Sequence, residues 1–180
     1  MKVNQLSNLF LLLVATLIAS PAQAANFFHG EWLQSCTIMN EDDYIQNLIM
    51  ADAKTFDLVT FAYEEEGCNT AYLIFKHKYS FNETDTTVTA EEQTANLTAV
   101  VEKITYTSLT DEVTEALNMI EFCGESDWVT FREKTITGQT CGDYKAPPQN
   151  STELLTIKTK SKNAILLNKD QTPYTKLITE

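Results

Sequence analysis

The sequence has few of the residues on which enzymes usually depend. Its 180 residues include only two histidines, His29 and His77, and they contain no Gly-x-Ser-x-Gly elbow, phosphate-binding glycine loop or HExxH motif. Carboxylates are plentiful, but in turns such as 41–43 and 64–66 they are typical of solvated charge, and the EF-hand spacing of a calcium site is missing. We therefore expect that the protein is not an enzyme and has neither a metal nor a cofactor.

Basic residues are scarce as well. Lysine and arginine together number 13, against 25 aspartates and glutamates, which gives a formal net charge of −12 at pH 7. This balance excludes most proteins that bind nucleic acids or anionic membranes, because their surfaces must attract phosphate. It is compatible with a cationic protein partner, although acidity often serves only solubility. We therefore expect no nucleic-acid partner.

Long hydrophobic runs are absent apart from one near the N-terminus. Residues 9–19 (LFLLLVATLIA) form an apolar run, which is too short for a bilayer because a spanning helix needs about 20 residues. Lys2 precedes the run, and a proline and the small-residue site Ala22-Gln23-Ala24 follow it, as in a signal peptide. We predict that residues 1–24 are a cleaved signal peptide, that no membrane anchor remains, and that the protein is secreted or periplasmic.

The cysteines indicate disulfides. The chain has four, Cys36, Cys68, Cys123 and Cys141, and no CxxC pair. Exported cysteines are usually oxidised, so disulfides are favoured over a metal site. Four cysteines allow three pairings, and their layout favours Cys36 with Cys68 and Cys123 with Cys141, since each pair lies in one half of the mature chain.

Short segments rich in Thr, Val, Ile, Tyr and Phe predict a mainly β protein. The clearest strand is 71–81, because alternate residues place an apolar set on one face: Ala71, Leu73, Phe75, His77, Tyr79 and Phe81. Similar runs predict strands at 30–38, 55–63, 96–107, 128–135, 154–159 and 164–167.

One segment has a helical pattern. Thr110 is a candidate N-cap, Leu117 and Ile120 lie on one apolar face together with Val113, and Gly124 is a candidate terminator. Removal of residues 1–24 from 180 leaves 156 residues, so we expect one domain over 25–180. About eight antiparallel strands with one short helix must close into a barrel or stack as a sandwich to protect their edges.

A resemblance favours the barrel. Gly30-Glu31-Trp32 is similar to the GxW element of lipocalin-type barrels. The chain also resembles a group of small secreted bacterial proteins of the lipocalin-like (calycin-type) kind, through segments 32–36, 63–68, 117–128, 137–141 and 172–176. The resemblance implies an antiparallel lipocalin-like β-barrel and brings no binding residues with it. Lipocalin barrels usually place an arginine of the last strand against this tryptophan, whereas the only arginine here is Arg132.

Two functions from different classes fit these observations. In the first, a monomeric barrel carries a small apolar ligand on Leu73, Phe75, His77 and Tyr79, where His77 supplies a polar contact. The alternative for His77 is a hydrogen-bonded core histidine. In the second, acidic turns bind a cationic protein, as in an inhibitor of a cationic cell-wall hydrolase. A structural role in the cell envelope is a third interpretation.

Overall fold

The computed structural model of the protein describes residues 28–40, 43–88, 93–168 and 172–177. The predicted signal peptide, residues 1–24, lies outside these ranges, as do Glu41 and Asp42 of the first acidic turn. The described residues form one α-helix, α1 (Asp111–Met119), and the following strands: β1 (Gly30–Gln34), β2 (Thr37–Ile38), β3 (Tyr44–Ala51), β4 (Thr55–Tyr63), β5 (Ala71–Val88), β6 (Gln93–Ser108), β7 (Lys134–Thr135), β8 (Thr140–Cys141), β9 (Tyr144–Lys145), β10 (Thr152–Ser161), β11 (Ala164–Leu167) and β12 (Tyr174–Lys176).

Eight of the strands form a closed antiparallel barrel, the architecture that the resemblance implies. The order around the barrel is β1-β12-β11-β10-β6-β5-β4-β3, and β3 pairs with β1 to close it. β2 also pairs with β3, and β7 pairs with β6 beyond the end of β10. β8 and β9 form a separate hairpin. Closure pairs both edges of each of the eight strands, so these edges cannot form hydrogen bonds with strands of other protein molecules.

The register aligns inward-facing side chains in rows across neighbouring strands. Phe75 of β5 lies between Thr60 of β4 and Tyr106 of β6. Two residues further along β5, His77 is the cross-strand partner of Leu58. The strand predicted over 71–81 is therefore present with its apolar face toward the interior, and it is longer than expected because β5 extends beyond residue 81.

The interior near β1 and β12 is densely packed. Trp32 is 1% exposed, and its indole Nε1 donates a hydrogen bond to the Phe28 carbonyl at 2.6 Å. The Lys176 ammonium, on β12, lies 5.2 Å from the centroid of the Trp32 ring, which is a cation–π distance. The cation that lies over Trp32 is therefore a lysine of the last strand and not Arg132.

Residues 109–151 connect β6 to β10 and carry the helix. Thr110 is the N-cap as expected, since its side chain accepts a hydrogen bond from the Val113 backbone N–H at 3.2 Å. Leu117 is buried, but the expectation that Ile120 shares its buried face is wrong. Ile120 is 66% exposed because the helix ends at Met119 and Ile120 is its C-cap. Gly124 instead ends a short 3-10 turn over Phe122–Gly124.

Two disulfides join Cys36 to Cys68 and Cys123 to Cys141, the pairing that the sequence favours. The first ties the residues after β1 to the loop between β4 and β5, and the second ties the 3-10 turn to the β8–β9 hairpin. Disulfides fit an oxidising compartment. Among the described residues, no helix is both long and apolar enough to cross a membrane.

The sequence patterns miss β3, β8, β9 and β12 and misplace the strand expected over 128–135. They do not indicate β3, because Ile45, Leu48 and Ile49 put apolar side chains on both of its faces and hide the alternation. The strand expected over 128–135 is wrong except for β7. The Trp128 backbone N–H donates to Asn118 Oδ1 at 2.7 Å instead of to a neighbouring strand, and Phe131 has a φ of 62°, which interrupts extended backbone.

Candidate functional site

The interior of the barrel is packed unevenly. One group of inward-facing side chains on β3, β4 and β5, which we call the inner patch, is only half-buried: Asn47, Leu58, Thr60, Leu73, Phe75 and His77. Inward-facing neighbours on the same strands are nearly inaccessible, since Ile49, Phe56 and Tyr79 are at most 3% exposed. Because protein interiors are normally close packed, partial exposure on the inner face indicates open space in front of the inner patch.

The four residues predicted to bind a ligand share one face of β5, but their surroundings differ. Leu73, Phe75 and His77 belong to the inner patch. Tyr79 belongs to the packed interior, where its ring stacks on Phe56 with centroids 4.8 Å apart. Only its hydroxyl takes part in the polar contacts of the site. The structure therefore brings three of the predicted side chains to the open space and places the fourth beneath them.

His77 is the centre of a chain of hydrogen bonds. Its Nδ1 lies 2.6 Å from the Tyr79 hydroxyl, which donates to Glu153 Oε2 at 3.1 Å. Its Nε2 lies 3.3 Å from the Tyr144 hydroxyl. Since Tyr79 donates its only proton to the carboxylate, it must accept from Nδ1–H, and the neutral imidazole then accepts from Tyr144 at Nε2. The chain thus runs in one direction from Tyr144 to Glu153.

Burial controls the ionisation of this chain. It lowers the pKa of His77 to about 4, so the imidazole is neutral at pH 7. Burial also raises the pKa of Tyr144 to about 12, with a further contribution from the Glu153 charge. The pKa of Tyr79 is raised for the same two reasons. At pH 7 both phenols therefore remain protonated donors, and Glu153 is the only anionic partner in the chain.

A second polar group lies on the same row as Phe75. Thr60 Oγ1 donates to Asn47 Oδ1 at 2.6 Å, and Asn47 Nδ2 donates to Gln34 Oε1 at 2.7 Å. Gln34 Nε2 then donates to the Thr172 carbonyl at 3.0 Å. These bonds fix the side chains of Asn47 and Thr60 while leaving one Asn47 N–H and the lone pairs of Thr60 unused by the chain. The inner patch therefore presents polar groups in fixed positions.

Aromatic rings form the rest of the site. The Phe75 ring lies edge-on to His77 at 4.6 Å, to Tyr144 at 5.3 Å and to Tyr106 at 5.5 Å between centroids. Tyr144 reaches these rings from the β8–β9 hairpin and is itself 37% exposed. The hairpin thus contributes one wall of the site from outside the barrel.

Sequence patterns missed Asn47, Thr60, Tyr144 and Glu153. Asn47 lies on β3, which was not recognised, whereas Thr60 lies on a correctly predicted strand and is the cross-strand partner of Phe75. Tyr144 and Glu153 are 67 and 74 residues from their partners on β5. Only the chain fold brings them together, and no local spacing indicates it.

The other predicted sites lie away from the inner patch. In the described residues, no three His, Cys, Asp or Glu side chains are grouped so that they could hold a metal ion. Glu64, Glu65 and Glu66 are all exposed in the loop between β4 and β5. Their binding to a cationic protein stays a prediction.

Comparison with known proteins adds no family. No protein-family model matches the chain, and no curated protein is similar to it. The resemblance to lipocalin-like secreted proteins therefore stays a prediction, and the function has to be argued from the site itself.

Proposed function

We propose that the protein is a binding protein, not an enzyme, and that it carries one small, mostly apolar ligand on the inner patch. The observation that supports this is the contrast between the packed interior and the partly exposed inner patch. An eight-stranded barrel is just wide enough either to be filled by side chains or to hold one small ligand. Here side chains fill the region around Trp32 and leave the inner patch uncovered.

The chemistry of the inner patch suits such a ligand. Leu58, Leu73 and Phe75 offer apolar contact, while Asn47 and Thr60 offer a few fixed hydrogen-bonding groups. Small-molecule sites in proteins usually combine a mainly apolar lining with a small number of placed polar groups, which set the orientation of the ligand.

Export is part of the proposal. The apolar run at 9–19 and the site Ala22-Gln23-Ala24 favour a cleaved signal peptide, and the two disulfides support folding in an oxidising compartment. The carrier then acts in the periplasm or outside the cell.

Replacement of Phe75 by alanine tests the carrier function. We expect Phe75→Ala to weaken binding of Nile red, a neutral apolar dye, about tenfold, because loss of a ring from a ligand contact costs about 1–2 kcal/mol. The free energy of unfolding should fall by only about 2 kcal/mol, since the ring is half-exposed. Fluorescence titration and urea unfolding give the two values.

Phe56→Ala is the matched control. Phe56 is 2% exposed and packs beneath the site, so its loss should cost about 3–5 kcal/mol of stability with a smaller change in dye affinity. A wild-type protein that binds no dye, or a Phe75→Ala variant as destabilised as Phe56→Ala with unchanged binding, would contradict the carrier function.

A further inference from the structure

Among the residues that the structure describes, one carboxylate of the site has no ion-pair partner. Glu153 is half-buried at the start of β10, and the Tyr79 hydroxyl is the one hydrogen-bond donor that its side chain meets among the described residues. Five ion pairs among the described residues involve other carboxylates: Asp57, Glu102, Glu125, Asp127 and Glu133. A carboxylate offers about four acceptor positions, so most of the hydrogen-bonding capacity of Glu153 is unused.

The hydrogen-bond chain that ends at Glu153 is made of aromatic side chains. Tyr79 contacts Glu153, His77 contacts Tyr79 and Tyr144, and the ring of Tyr144 is nearly perpendicular to that of Phe75, with an interplanar angle of 87°. Because the imidazole of His77 is neutral at pH 7, it adds no positive charge that would neutralise Glu153 or repel a cation. Organic ammonium ions are attracted to the faces of aromatic rings, and a carboxylate beside such rings adds an opposite charge.

We infer that the ligand of the inner patch carries an ammonium group, which binds to Glu153 beside the rings of His77 and Tyr144. The inference rests on the proposed function, and it adds the class of ligand: an organic amine with an apolar body. The ammonium group donates hydrogen bonds to free acceptor positions of Glu153. The apolar body of the ligand lies against Phe75 and the leucines of the inner patch. The net charge of −12 favours the approach of such a cation.

A series of three probes with one phenyl body separates charge from apolar contact. The probes are 2-phenylethylammonium, neutral 2-phenylethanol and anionic 3-phenylpropanoate, titrated calorimetrically at pH 7 and low salt. We expect the ammonium to bind about tenfold more tightly than the alcohol, as a desolvated ion pair with cation–π contact allows, and the anion to bind most weakly. Glu153→Gln should remove the preference for the ammonium and leave binding of the alcohol unchanged.

Two further variants locate the effect. Glu115→Gln removes an exposed carboxylate of α1 and should leave the preference intact. Tyr144→Ala removes one wall of the site at an exposed position, and it should reduce the preference even if Glu153→Gln fails to fold.

The outcomes separate the inference from the proposed function. An ammonium that binds no better than the alcohol, while Nile red still binds, overturns the amine inference and leaves the carrier function in place. A preference that survives both Glu153→Gln and Tyr144→Ala, or that falls equally in Glu115→Gln, reflects the general negative field and also overturns the inference. Failure of Nile red and of all three probes to bind overturns the carrier function itself.

Discussion

Among single residues, His77 links the packed interior to the inner patch. Its Nδ1 meets Tyr79, whose ring is buried, and its Nε2 meets Tyr144, which is exposed to solvent. The histidine is therefore hydrogen-bonded on both ring nitrogens and partly exposed, while its contact with a ligand stays a prediction. Burial lowers the pKa of His77 from 6.5 to about 4, so its protonation should change the free energy of unfolding with pH.

We predict that His77 makes the protein less stable as the pH falls from about 6.5 to 4. In this window the unfolded chain binds a proton at His77 and the folded chain does not, so protons favour unfolding, and the loss levels off below the folded pKa. Since the ring is half-exposed, we expect an effect on the order of 2 kcal/mol. Urea unfolding of wild type and His77→Gln at pH 7, 5.5 and 4.5 measures it.

The variant should lack this part of the pH dependence. The contributions of all other titrating groups are common to both proteins and cancel in the difference. Equal slopes for the two proteins would mean that His77 is not buried as described.

At the scale of elements, the sequence predicted β5 because its two faces differ. β4 and β11 match their expected bounds, since each is a short run of β-forming residues bounded by turns. β3 was not predicted because both of its faces carry apolar side chains. The same limit applies to the site: Phe75 and His77 follow from alternation along β5, but Glu153 and Tyr144 come from other elements and required the fold.

The β8–β9 hairpin illustrates how one element controls the site from a distance. Its Cys141 is joined to Cys123, and its Tyr144 covers His77. The other disulfide, between Cys36 and Cys68, ties the residues after β1 to the β4–β5 loop and does not involve the hairpin. The two disulfides should therefore have similar effects on stability and different effects on the site.

We predict that the double variant Cys123→Ala/Cys141→Ala raises the pKa of His77 toward 6.5, because the hairpin that buries the ring is released. Loss of this bridge should also lower stability by about 3 kcal/mol through the entropy of the unfolded chain. NMR titration of the imidazole and urea unfolding give the two values. Cys36→Ala/Cys68→Ala is the control, with a comparable loss of stability and an unchanged His77. A change in the His77 pKa in this control alone would show that the β8–β9 hairpin is not the element that buries His77.

For the molecule as a whole, the contacts between β1 and β12 join the N-terminal strand of the barrel to its C-terminal strand. Gln34 Nε2 donates to the carbonyl of Thr172, which is 138 residues away in the sequence, and Lys176 covers Trp32. Neither disulfide crosses this seam, since their cysteines are 32 and 18 residues apart. The covalent links therefore stabilise each half of the chain, while the closure itself depends on non-covalent contacts.

The fluorescence of the two tryptophans therefore reports on two different steps of folding. Trp32 reports on the closing seam, whereas Trp128 is held by Asn118, only 10 residues away. Contacts between distant residues form more slowly than local ones. In stopped-flow refolding with the disulfides intact, Trp32→Phe, in which Trp128 reports, should recover its native fluorescence before Trp128→Phe, in which Trp32 reports. Equal rates would mean that residues 109–151 and the contacts between β1 and β12 form in a single cooperative step.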